Sequence, residues 1–113
     1  MTTFARIIRA IKTFGYPHSP GVYKGPEKHW FTYNYTDDYG GNYADDEPQS
    51  VINRVQIHFF LPASEDYIEK KNEIRDALFE EGFTFPEITT VDDPDPELRH
   101  IVFECEIEEE MEM

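Results

Sequence analysis

The side chains able to do chemistry in these 113 residues are four histidines, one cysteine and three acidic clusters. His18, His29, His58 and His100 show none of the HxH, HxxxH or HExxH spacings that bring imidazoles onto a metal. His58 and His100 fall on the wet side of two strand patterns and become neighbours if those strands pair; two imidazoles then offer a metal part of a ligand set, and a plain solvent-facing pair is the simpler reading. Cys105 alternates in phase with Phe103 and Ile107, as a buried small hydrophobe does, and Glu104 and Glu106 beside it disfavour the thiolate that a nucleophile needs. No serine sits in a GxSxG elbow, and no glycine pattern is of the phosphate-binding kind. The clusters Asp37–Asp38, Asp45–Asp46–Glu47 and Asp92–Asp93–Asp95 do not make a twelve-residue calcium loop, which requires a mid-loop glycine and a closing glutamate, and Pro94 and Pro96 interrupt the last of them. The expectation is a protein with no catalytic, cofactor-binding or metal-ligating residues, and not an enzyme.

What remains is contact chemistry. Thr36 to Ser50 reads TDDYGGNYADDEPQS, with five acids, two glycines and two tyrosines and no Lys, Arg, Ile, Leu or Val. A connection of that length without its own structure is uncommon inside a compact domain and is usually functional or disordered. It is read here as a long mobile acidic loop, residues 36–50, in which Tyr39 and Tyr43 give rigid aromatic contacts on an adaptable backbone. The ending EIEEEMEM is read as a fraying acidic tail over residues 108–113.

Charge is unevenly placed. Residues 1–30 hold five bases against Glu27, a net of +4, while residues 31–113 hold five bases against 23 acids, a net of −18, which together return the formal −14. Such asymmetry favours head-to-tail contact between copies, or one acidic and one basic docking surface, with Arg6 and Arg9 of a basic helix face and the acids Asp37, Asp38, Asp45, Asp46 and Glu47 as the candidate contact residues. Specific nucleic-acid binding is not expected, because phosphate contacts need clustered Lys and Arg. No stretch approaches the roughly 20 apolar residues of a membrane span, and Arg6, Arg9 and Lys12 interrupt the apolar run that a signal peptide requires. With one cysteine there is no internal disulfide, which favours a reducing, cytoplasmic place of assembly.

The elements that must position these residues form a single domain, 1–113. Phe4, Ile7, Ile8, Ile11 and Phe14 recur at helical spacing, with Thr2 or Thr3 to cap the start and Gly15 and Pro17 to end it. Residues 16–29 read as a Pro- and Gly-rich connector with a short strand at Val22 and Tyr23. WFTYNY, Trp30 to Tyr35, is an aromatic strand. Val51 to Leu61 follows with Val55, Ile57, Phe59 and Leu61 on one face and Arg54, Gln56 and His58 on the other. Ser64 is placed as the N-cap of a helix that ends at Gly82. A short strand, a polar turn and a final strand, Leu98 to Ile107, complete the order α-β-β-α-β-β, an α+β two-layer sandwich on a largely antiparallel sheet.

This layout resembles the tail-terminator, or tail-completion and head–tail joining, proteins of long-tailed bacteriophages and prophages. The resemblance rests on FARIIRAIKTFG, YPHSPGVYKGP, WFTYNY, the long polar segment, VINRVQIHFFLP, SEDYIEKKNEIRDALFEEGFTF and RHIVFECEI, and spans nearly the whole chain; the acidic ending departs from it. The resemblance implies a structural virion protein with no cofactor. Its partners would be itself, in a homo-oligomeric ring that is often a hexamer, together with the tail-tube protein and the head connector protein. It would work in the virion tail and pass through the host cytoplasm during assembly. Two rivals of other classes stand beside it: an acidic adaptor or inhibitor, including a DNA mimic, that binds a basic partner, and a small enzyme using His58, His100 or the aspartates.

Overall fold

The computed structural model describes residues 2–44 and 46–110. It is α+β, with two helices and one mostly antiparallel sheet. Helix α1, Thr3–Ile11, starts where the Thr2 hydroxyl accepts the Ala5 N–H at 3.2 Å, and runs into a 3₁₀ turn, Lys12–Phe14, that Gly15 closes at φ 79°. Then come β1, His18–Pro20, β2, Trp30–Ala44, β3, Glu47–Pro62, helix α2, Ile68–Glu80, β4, Glu87–Val91, and β5, Leu98–Glu110. The sheet order is β1-β2-β3-β5-β4, and β1 alone is parallel to its neighbour.

Alternation on the central strands decides where the core lies. Val55, Ile57, Phe59 and Leu61 of β3 face the same side as Phe31 and Tyr33 of β2 and Ile101, Phe103, Cys105 and Ile107 of β5, all buried. Ile7, Ala10 and Ile11 of α1 and Ile74 and Leu78 of α2 close over that side in one cluster. Phe31 stacks on Phe59 at 4.8 Å in its centre. The C-terminus of α2 is closed by Gly82 at φ 108°, with the Phe83 N–H bonded to the Leu78 carbonyl and the Gly82 N–H to that of Phe79.

Four sequence expectations are corrected. Residues 36–50 are not a loop. The ladder between β2 and β3 continues from Asp37↔Arg54 to Ala44↔Glu47, and Asp46 takes the left-handed φ of 64° that closes it, a backbone that aspartate tolerates. Asp37, Asp38 and Glu47 project from a paired backbone, and backbone pairing does not require apolar side chains. Likewise Glu108–Glu110 pair with Ser50–Ile52 as the end of β5, while residues 111–113 lie outside the described residues. The early short strand is His18–Pro20 rather than Val22–Tyr23, because the Gly21 N–H and the Pro17 carbonyl bond to Tyr33 and Phe31; the observed order is therefore α-β-β-β-α-β-β. Ser64 does not cap α2; the helix begins later, with the Asp66 carboxylate accepting the Ile68 N–H at 3.0 Å.

Phe59→Ala removes the ring at the centre of this cluster. It is expected to cost about 3–5 kcal/mol, read as a lowered urea midpoint, and a loss below about 1 kcal/mol would contradict the packing described.

Candidate functional site

Beyond the helices the sheet runs on as a three-stranded arm, in which the far halves of β2 and β3 lie beside the end of β5. It gives the molecule its long dimension, 54 Å against 26 and 24 Å. A β-bulge between Tyr35 and Asp37 marks its root. Before the bulge, Tyr35 faces the helices and stacks on Phe4 at 4.6 Å; after it, Asp37 lies on the opposite face with Arg54.

One cation organises that root. Arg54 donates from Nε and Nη2 to the Glu106 carboxylate at 2.9 and 2.7 Å, and from Nη1 to Asp37 at 3.4 Å. Tyr39 donates to the other oxygen of Glu106 at 2.9 Å, and its ring lies 5.8 Å from the guanidinium. The bonds from Arg54 and then Tyr39 hold the Glu106 carboxyl below its ordinary range, while donating its proton to that carboxylate raises the Tyr39 hydroxyl. On the helix side Asn53 donates to Thr3 at 2.9 Å, and Thr3 donates to Glu109, so a β5 carboxylate sits at the N-terminus of α1 where the helix dipole favours it.

Nearer the body, the sheet face away from the helices carries a row of stacked rings. Trp30 lies 4.9 Å from Phe60, and Phe60 lies 4.2 Å from His100. His58 and His100 are brought together: His58 Nδ1 and His100 Nε2 are 2.7 Å apart, and His58 Nε2 lies 2.8 Å from Asn34 Oδ1. Asn34 Nδ2 donates to the Tyr35 carbonyl, so its oxygen must accept from His58 and the protons follow: Nε2–H on His58, and Nε2–H on His100 pointing at His58 Nδ1. Burial, and then the neighbouring His100, push His58 down to about 4; burial also lowers His100 against the opposing pull of Asp93. Among the described residues no three His, Cys, Asp or Glu side chains converge to hold a metal ion.

Cys105 is buried, and desolvation followed by Glu104 and Glu106 pushes its thiol up to about 12. It is a core residue and not a nucleophile at neutral pH. The groove it borders is lined by Arg54, Thr84, Phe85, Glu87, Glu104 and Glu106, and Arg54 and Glu106 pair within it.

The residues singled out from sequence divide into three groups. Asp37 and Tyr39 join the Arg54 cluster, while Asp38, Tyr43, Asp46 and Glu47 are exposed along the arm, Tyr43 at 66%. Asp45 lies outside the described residues. Arg6 and Arg9 are instead on the body: Arg6 donates to the Glu81 carbonyl at 3.0 Å, and Arg9 pairs with the Glu81 carboxylate at 3.1 Å, so both brace α1 against the end of α2. Sequence reading sets Arg54 on a wet strand face and Glu106 beside Cys105 without joining them, and gives Asn34 no role. The available signal was that Arg54 is the one base between Thr36 and Tyr67. Among the described residues no helix is long and apolar enough to cross a membrane. Comparison with protein-family models and with curated proteins yields no match to this chain.

Two outcomes follow from this geometry. Arg54→Met leaves Asp37 and Glu106 facing each other without their cation. Amide exchange at Asp37–Gly41 is then expected to quicken while the amides of Val55–Phe59 keep their protection; equal protection in both proteins would show the cluster to be idle. For the histidines, the unfolded chain takes up a proton near pH 6.5 and folded His58 only near 4, so its contribution is complete above 6.5 and is lost as pH falls through that interval. Urea unfolding at pH 7 and pH 5 checks this, with His58→Gln expected to flatten the difference.

Proposed function

We propose that this chain is a structural assembly subunit of the phage tail-terminator type. In this reading it is a two-layer sandwich that forms a homo-oligomeric ring on the tail tube and joins the tube to the head connector. The observation that carries the reading is the arm. Residues 36–54 and 106–110 together hold nine acids against Arg54, a net of −8 out of −14, on the sheet extension that begins at the bulge. A protein that needed only to be stable would gain little from 16-residue and 13-residue strands that outrun their own core. A subunit that must reach a neighbour gains a stiff lever. Surplus acid directed at a channel would also keep passing DNA from sticking, the reverse of counterion-release binding.

The same concentration of charge favours a second reading, an acidic adaptor or inhibitor that binds a basic partner without assembling. The contacts of Arg6 and Arg9 with Glu81 weaken the earlier idea that a neighbour's acids seat on that helix face, since both arginines already have partners in their own chain.

The test is assembly. Concentrated protein is expected to give ring particles by electron microscopy and, mixed with polymerising tail-tube protein, to limit tube length. Joining Tyr39 to Ile52 through a short Asn-Gly turn, a pair directly opposed in the ladder, should leave the body folded and abolish both. A monomer at all concentrations with no effect on tube length would sink the reading, and competition with DNA for a basic protein would favour the adaptor.

A further inference from the structure

We propose that the free edge of β2, along the arm, takes a lysine- or arginine-bearing extended segment of another protein as an added strand. This rests on the reading of the arm as the contact surface and names the kind of partner and the way it is held.

The edge is open because β1 is short. It pairs with β2 only at Phe31, Thr32 and Tyr33, and from Asn34 to Ala44 no strand of the described residues lies on that side. The Tyr35 carbonyl is covered by the Asn34 amide, which places the start of the free row at the bulge. Beyond it, backbone donors and acceptors of a strand already held straight by β3 face outward, the arrangement on which extended peptides add. Such an edge is a hazard unless it selects its partner. Here the selection is by charge: Asp37 and Asp38 stand on the edge strand itself, Asp46 and Glu47 at its far end, and only Arg54 opposes them.

Charge and backbone both argue against a second copy of this chain as the added strand. The equivalent edge of another copy would set Asp37 and Asp38 against their own kind, and the end of β5 would bring Glu108–Glu110. The chain's own extended connector, residues 16–29, carries Pro17, Pro20 and Pro26, which cannot donate to a ladder. A basic strand from a different protein meets both conditions.

The experiment uses the full chain and a ten-residue peptide of alternating lysine and valine. Its control has the same sequence and charge, with the amides of one strand edge N-methylated. The expected result is that the unmodified peptide shifts the amide resonances of Asp37–Ala44, that the methylated one binds at least tenfold more weakly, and that Asp38→Asn weakens the first severalfold. Equal affinity of the two peptides, shifts confined to β5, or no binding of either would each overturn the inference. The ring reading is scored separately, by particle formation without peptide. Rings without strand addition leave that reading standing and overturn this one, while strand addition without rings does the opposite.

Discussion

The register of β3 is the constraint on which the rest of the molecule depends. Among the described residues it has the longest pairing on two sides, with β2 from Trp30↔Phe60 to Ala44↔Glu47 and with β5 from Pro62↔Leu98 to Ser50↔Glu110. Side chains alternate with a period of two, so a slip of one residue would turn Val55, Ile57, Phe59 and Leu61 to solvent and bring Arg54, Gln56 and His58 beneath the helices. That penalty fixes both neighbours at once. It therefore also fixes which acids meet Arg54 and which histidine meets His100.

Much of the body is legible in the sequence because burial there follows one rule. The α1 stripe, the inward residues of β3 and β5 and the Gly82 turn each carry a periodic apolar or conformational mark, and the structure uses each as read. The arm carries no such mark. Asp37, Asp38, Gly40 and Gly41 are poor strand residues by composition, and the segment lacks the large aliphatics that announce a buried face. What holds it is the backbone ladder, one arginine and the Asn53–Thr3–Glu109 hydrogen bonds, and none of these has a periodic signature. The clue lay in the length rule itself: fifteen residues without structure are improbable in so small a domain, which argues as well for structure in the segment as for a function of the loop.

The Arg54 cluster shows why the candidate contact residues are only partly legible in the sequence. The acids are visible in sequence, but their division into paired and free depends on a bulge that changes which face they occupy. Both Asp37 and Asp38 are exposed, but Asp37 lies beside Arg54 and Asp38, one position on, is opposite Asn53 on the other face. His58 and His100 illustrate the same limit. Their placement on the wet faces of two strands is readable, whereas the Asn34 amide that fixes their protons comes from a third strand.

The bulge between Tyr35 and Asp37 separates two parities of one strand. Odd-numbered residues before it serve the core, and the odd-numbered Asp37 and Tyr39 after it serve the outside. The outer segment is in this sense a cassette. Its length and composition are free to drift in two-residue steps under selection by whatever it touches, with Phe31, Tyr33 and Tyr35 keeping their phase. Descendants of such a chain would share a recognisable trunk and diverge fastest beyond the bulge.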